Sequence, residues 1–448
     1  MVSRLSLVFL VVLALLAGCA AHPGQTPVPR PLGHRFTYVP SVPVNGGQRI
    51  TITFWTQVNQ QKIYQSLIDA YRQLHPNVVV DLVASSYLDH FKKLQTALGS
   101  GIGPDLFHMH NEYGEALRPS MASYPPDLFP LDQLEADFVQ VDTHLSGGRL
   151  YFIDTGLMTS SIYYDKQVWK AAGLTNADVP RTWDDLRTLA RKLTQFDAGG
   201  RMTRAGFNPN GIGSQLLLAL NLQQGQRLFD PRDPSRPLVD TPASRRSLEF
   251  LHSLYSGRPV TSVSLPPFHE SLGAKKAAMI YAWGWANGWL KENFPDLDFG
   301  TFPIPTWDGR TPPAYDRYNG ESSMGVNEHS PEAKKRVAFD LIRFFLASDQ
   351  FLSDFCRSLS LIPTKRNLVD DPSFPGQGLV ERTVWPGALP AFYEKTLDDT
   401  LVDPFIIDGL PATEVLRQTQ DRLDRQFAQS TFRSSEASYR FAGDFVGP

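Results

Sequence analysis

The sequence predicts an α/β fold in two lobes, each built on a mostly parallel sheet flanked by helices. Three observations lead there. Strand and helix patterns alternate from residue 49 to about residue 107, and a second stretch from residue 161 repeats the alternation. The third is length: of 448 residues, the first 48 read as leader and spacer, and the roughly four hundred that remain exceed one ordinary core.

The body opens with Arg49-Ile50-Thr51-Ile52-Thr53-Phe54-Trp55, which alternates apolar and polar residues as a strand does. Ile63, Tyr64, Leu67, Ile68, Tyr71 and Leu74 then fall on one helical face, and Pro76 ends that helix. Val78 to Val83 reads as a second, buried strand. Phe91, Leu94 and Leu98 mark another helix, which Gly99, Gly101, Gly103 and Pro104 break before a third strand at Asp105-Leu106-Phe107. In the second region Ser161 to Tyr164 is a strand, and Thr182 with Asp185 forms a capping box for a helix carrying Leu186, Leu189, Ala190 and Leu193. Later, Ala333, Val337, Leu341, Phe344 and Phe345 describe an amphipathic helix that Pro331 helps to start. Ligands of α/β lobes sit beyond the carboxyl ends of the strands, which here are Trp55 to Gln60 and His108 to Tyr113.

The N-terminus carries a different message. Arg4 precedes Leu5 to Leu16, an uncharged apolar stretch of the length of a signal-peptide core, too short to span a bilayer comfortably. It runs into Leu16-Ala17-Gly18-Cys19, which resembles a bacterial lipobox, so residues 1–18 are expected to be removed and Cys19 to take up lipid. Residues 19–48 are rich in proline and glycine and predict a lipid-anchored spacer. These segments predict an extracytoplasmic protein tethered to the cell envelope.

Composition narrows the classes. Apolar residues make up 42% and charged residues 20%, as in a globular rather than a disordered chain. A net charge of −3 with interspersed signs gives no basis for nucleic-acid binding. With Cys19 acylated, Cys356 is the only other cysteine, so neither a disulfide nor a thiolate metal cluster is expected, and Cys356 reads as a buried structural thiol.

Several segments, in order, resemble the family 1 extracellular solute-binding proteins of bacterial ABC importers, the group that includes maltose-binding protein. Ile52 to Thr56 is similar to that family's opening strand, Gly103-Pro104-Asp105-Leu106 to its Gly-Pro-Asp turn, and Ile162-Tyr163-Tyr164-Asp165-Lys166 to its Tyr-Tyr-Asn-Lys stretch. Pro180 to Leu186 is similar to its Pro-x-Thr-Trp-Asp-Glu segment, Ala274 to Met279 to its Gly-Lys-Ala-Ala-Met run, and Phe299 to Pro305 to its crossover strand. The resemblance covers residues 49 to about 365, and the last eighty match poorly. It implies a type II periplasmic-binding-protein-like fold, with lobe 1 at 49–154 plus 300–328, lobe 2 at 155–299 plus 329–448, and a ligand cleft between them. It also implies a sugar or oligosaccharide ligand, separate permease and ATPase subunits as partners, and no cofactor.

A polyhydroxyl ligand needs aromatic faces against its C–H surfaces and amides or carboxylates for its hydroxyls. Trp283 and Trp285 are the stacking candidates, with Trp289 a turn further on. Residues i and i+2 of an extended chain face opposite ways, so one of the two is expected at the cleft and the other in the core. Gln57 and Asn59 follow the first strand as hydroxyl-binding amides, although Asn59 could equally start a helix. His110, Asn111 and Glu112 follow the third strand, and alternation of His108, His110 and Glu112 also admits a metal site if they converge. Asp154 lies at the first crossing, as a ligand contact or as a hinge cap. Gly320 allows close backbone approach, Glu321 can accept two hydroxyls, and Gln215 marks the mouth of the second lobe.

The rival classes are a lipid-anchored glycoside hydrolase and a partner-binding envelope lipoprotein. Hydrolysis needs two facing carboxylates, which 46 acidic residues could supply, but the chain carries no G-x-S-x-G, H-E-x-x-H or G-x-x-x-x-G-K motif.

Overall fold

A computed structural model describes residues 30–110, 113–139, 141–158, 160–309, 316–317, 319–321, 323–369, 371, 374, 383–384, 389–390, 392–434 and 436. Strands β1 (Leu32–Gly33) and β2 (Thr37–Tyr38) form an antiparallel hairpin that precedes the first lobe. Phe36 and Tyr38 are buried in the core, Asp137 accepts from the backbone N–H groups of Arg35 (3.0 Å) and Phe36 (2.8 Å), and the Tyr38 hydroxyl donates to Asp340 (2.9 Å). The spacer expected over 19–48 is therefore corrected from Leu32 onward. Two aromatic anchors supply enough apolar area to dock the segment without any helical or strand period.

β3 (Ile50–Gln57) runs parallel to β4 (Val78–Ser85), in register from Ile50 opposite Val78 to Gln57 opposite Ser85, and parallel to β5 (Leu106–Met109). Between β3 and β4, α1 (Gln61–Leu74) buries Tyr64, Leu67, Ile68 and Tyr71, the spacing of one helical face. Between β4 and β5, α2 (Tyr87–Gly99) begins at Ser86, whose hydroxyl accepts from the Asp89 N–H at 3.3 Å. β4 is an edge strand whose valines run from buried Val78 through half-buried Val79 and Val80 to Val83, exposed at 51%, so it is not enclosed on both faces. Asp105 ties the sheet to the following turn by accepting from the Thr53 N–H (2.9 Å), Ser330 (2.7 Å) and Lys334 (3.0 Å).

β6 (Gly156–Met158) carries the chain into the second lobe, where β7 (Ser160–Asp165) is central. Both halves of the Thr182–Asp185 capping box are present at α3 (Trp183–Leu193). Helix α4 (Gly213–Gln223) is buried along most of its length and packs on α5 (Pro242–Tyr255). The short α6 (Phe268–Gly273), β8 (Met279–Trp283), α7 (Trp285–Asn293) and β9 (Phe299–Pro303) complete the lobe's centre. The sheet order is β8-β7-β9 with both pairings antiparallel, a departure from the parallel pattern expected of this lobe. A parallel bridge between Ala205 and Ala277 lies beside it.

β10 (Asn319–Glu321) leads back to β11 (Ser323–Val326), which pairs antiparallel with β5 and gives the first sheet the order β11-β5-β3-β4. Helix α8 (Glu332–Ala347) packs on β3 and β11, and α9 (Asp349–Leu359) packs on α1. The lobe boundaries need correction accordingly. Residues 332–359 belong with the first sheet, not the second. Residues 300–307 stay with the second lobe: β9 pairs with β7, and Trp307 lies against Phe250. After β12 (Ile362–Pro363), the helices α10 (Phe392–Leu397) and α11 (Ala412–Ala428) return to the second lobe, against α4 and α5 respectively. At the junction, β10 and β12 flank β6 in one three-stranded sheet. Cys356 is fully buried behind it, with Sγ 3.5 Å from the Thr155 carbonyl oxygen. Among the described residues no helix is long and apolar enough to cross a membrane.

Candidate functional site

The first wall of the site is the carboxyl edge of β3 and β5. A tight turn, Val58–Gln60, follows β3, leaving Gln57 buried and Asn59 exposed. Gln60 pins this turn to the sheet: its Oε1 accepts from the Thr56 hydroxyl (3.1 Å), and its amide Nε2 lies 3.2 Å from His108 Nε2. The His108 ring is therefore part of the sheet's own wiring. Its burial, reinforced by His90 and His110, pushes its pKa well below the usual histidine range, so it is neutral at pH 7. His90 Nε2–H donates to the His108 carbonyl at 2.9 Å. His110 comes two residues after His108 with its ring against Phe91, on which Tyr113 stacks at 4.2 Å. Asn111 and Glu112 lie outside the described residues. Among the described residues no three His, Cys, Asp or Glu side chains are grouped as metal ligands.

The floor is the junction sheet. Asp154 is almost fully buried just before β6, and its carboxylate meets His144 Nε2 at 2.9 Å. Its carbonyl accepts from the Thr364 hydroxyl at 2.7 Å. These bonds make Asp154 a fastener between the first crossing and the strand that runs beside it. Gly320 pairs with Leu157 and Glu321 with Gly156, which sets both positions on the strand next to the first crossing.

The second wall begins where β8 ends. Trp283 is 6% exposed, its ring lies against Tyr281, and its carbonyl accepts from the Tyr163 hydroxyl at 3.1 Å. It is a core residue of the junction. Trp285 opens α7 and is only half-buried, with Phe268 and His269 against it at 6.0 and 5.7 Å. Between the two indoles, Gly284 passes so close to the end of α9 that a Cβ there would sit 2.5 Å from the Ser360 carbonyl oxygen. That approach brings Trp285 to the place where the lobes meet.

Gln215 is held by a partner that sequence reasoning missed. Its amide donates to Glu394 on α10 at 2.7 Å. One turn on, Asp398 caps α4, accepting from the Ser214 N–H (3.0 Å) and hydroxyl (2.9 Å). Burial, with Asp403 and Asp399 adding to it, raises the Asp398 pKa to about 6. No local motif marks Glu394; it reaches Gln215 only because α10 folds back onto α4.

An aromatic face at a lobe junction, flanked by amides and carboxylates, suits capture of a neutral polar solute. Residues 55–350, well over half of the chain, match the family described as bacterial extracellular solute-binding protein. The chain belongs to that family. Bacterial extracellular solute-binding proteins act outside the cytoplasm, by binding rather than by a chemistry of their own. The chain is 23% identical over 316 residues to the arabinooligosaccharide-binding protein of Bacillus subtilis (strain 168), covering 66% of this chain and 68% of the relative. It is 20% identical over 379 residues to the maltotriose-binding protein of Pyrococcus abyssi, 80% of this chain and 79% of that one. Its fold superposes with a TM-score of 0.69 on the maltose/maltodextrin-binding domain of Bdellovibrio bacteriovorus bound to maltotriose, at 16% identity, over 85% of this chain and all of the other. The two-lobe fold of solute-binding proteins is thus the fold of this chain.

Proposed function

We propose that the protein captures a carbohydrate between its lobes and hands it to a separate ABC permease, while a lipid on Cys19 holds it at the cell envelope. Cys19 lies outside the described residues, and its role rests on the lipobox pattern of the sequence. The observation that carries the reading is Trp285, an indole left half-open where the lobes meet. The names of the relatives above point to the same ligand class. Trp285 stacks on a sugar ring. Gln57, Asn59, His110, Asn111 and Glu112 supply hydroxyl contacts from the first lobe, Gln215 with Glu394 from the second, and Gly320 and Glu321 from the junction, while Asp154 takes the hinge role and holds the first crossing in place.

The test is a thermal-shift screen of residues 29–448 against sugars, polyols, sugar phosphates and amino acids. A ligand at a hundred times its Kd adds about 2.7 kcal/mol to stability. A sugar that stabilises the protein and is recovered intact supports the reading. No hit across the panel, or recovery of cleaved sugar, sinks it in favour of a partner-binding lipoprotein or a hydrolase respectively.

A further inference from the structure

The aromatic surface does not stop at Trp285. Trp289 lies four residues on, so the two indoles share one face of α7, displaced along its axis by about 6 Å. His269, from α6, packs edge-on against both: its ring centroid is 4.4 Å from that of Trp289 at 84° and 5.7 Å from that of Trp285 at 71°. Phe294 supports Trp289 at 5.6 Å. This scaffold fixes the orientation of both rings without enclosing them, because each indole stays half-buried. Beside Trp289, Gly288 is exposed, and outside its neighbouring residues and its own helix backbone no atom lies within 4 Å of where its Cβ would stand. The surface next to the second indole is open.

A single half-exposed indole is ordinary on a protein surface. Two rigid ones a helical turn apart, locked by a common histidine, form a ridge whose step is on the order of one sugar unit in a chain. We infer that Trp289 is a second stacking platform, and that the ligand is a glycan of at least two rings, one on Trp285 and the next on Trp289. This inference rests on the carbohydrate reading above and narrows it.

The experiment is calorimetric titration of the mature protein with mono-, di- and trisaccharides of the gluco, arabino and manno series, and with galactose and lactose. Wild type is compared with Trp289→Ala, Trp289→Phe and Trp285→Ala. Affinity of the wild type should rise with chain length, and Trp289→Ala should erode that rise by about five- to tenfold. Trp289→Phe, which keeps a ring, should restore most of it, and Trp285→Ala should weaken ligands of every length. A Trp289→Ala loss that is equal at all lengths makes Trp289 a mere buttress for His269 and overturns the inference. So does no loss at all, or a wild type indifferent to chain length. Both of those leave the carbohydrate reading standing, whereas a wild type that binds none of the sugars removes the two together.

Discussion

The Arg118 guanidinium, in the first lobe, donates a hydrogen bond to the hydroxyl of Thr431, which follows the last long helix of the second lobe. This contact joins the lobes through side chains, separately from the junction sheet β10-β6-β12. Hinge closure around a ligand is governed by such differences between the closed and open states. Removing the bond should favour the open form. As a partly exposed hydrogen bond to a neutral hydroxyl, it is worth about 0.5–1 kcal/mol. Arg118→Ala is therefore expected to weaken ligand affinity about two- to fivefold and to enlarge the unliganded protein in small-angle scattering. An unchanged Kd and an unchanged radius would show that the contact has no part in closure.

The two tryptophans flanking Gly284 should separate stability from binding. Trp283 fills the core of the junction, so Trp283→Ala is expected to cost about 3–5 kcal/mol in urea unfolding. Trp285 is half-open, and Trp285→Ala should cost about 1 kcal/mol of stability while weakening sugar binding about tenfold or more. Paired denaturation and titration curves for the two variants check this. A Trp283 variant that loses binding but not stability would reverse the assignment.

These same segments show what a chain reveals of itself. The Thr182–Asp185 capping box, the helical face of Tyr64, Leu67, Ile68 and Tyr71, and the first and third strands depend on neighbours a few residues away and are legible in sequence, although the pattern stops those strands at Trp55 and Phe107, short of Gln57 and Met109. Lobe membership of α8 and α9 is not. Periodicity says that Val337, Leu341 and Phe345 face a core, but either sheet could provide it. Phe36 and Tyr38 dock as isolated rings inside a proline-rich segment, which has no period to read. The antiparallel pairings of β7 and the bond between Gln215 and Glu394 are likewise set by contacts across more than a hundred residues. Of the candidate site, the sequence singles out both indoles, but it could not say that Trp283 turns into the core while Trp285 stays partly exposed.

Glu436 provides a pH test. It is buried against the strand edge at Leu228 and Phe229, whose N–H groups donate to its two carboxylate oxygens at 3.0 and 2.8 Å. Burial outweighs these bonds and raises its pKa from 4.5 to about 7. A carboxyl whose folded pKa is raised binds its proton more tightly when folded. Its contribution to stability is full below the unfolded pKa near 4.5 and is lost as pH climbs through about 7. Glu436→Gln mimics the protonated acid and abolishes this dependence. The stability of the variant relative to wild type should therefore increase between pH 5 and pH 8, by an amount on the order of 3 kcal/mol. Chemical denaturation at several pH values measures it, and a constant difference would mean that Glu436 does not titrate in this range.

Lys365 makes a sharper demand on the fold. Its side chain has no exposed surface, and its Nζ donates to the carbonyl oxygens of Leu346 (3.0 Å) and Ala347 (2.9 Å) at the end of α8. The same nitrogen approaches Asp349 Oδ1 to 2.7 Å and lies over the Phe138 ring. Carbonyls of a helix's last turn have no partners within the helix, and a cation there also meets the negative end of its dipole. Because Lys365 comes two residues after β12, this bond anchors the junction sheet to the first lobe. Lys365→Ala leaves the carbonyls and a partly buried carboxylate without their cation and should cost about 3–5 kcal/mol. Lys365→Met keeps the aliphatic stem against Phe138 and should recover about 1–2 kcal/mol of that loss. Urea unfolding of the two variants separates charge from packing. If the methionine variant matches wild type, the ammonium group contributes nothing net, and the stem alone anchors the junction.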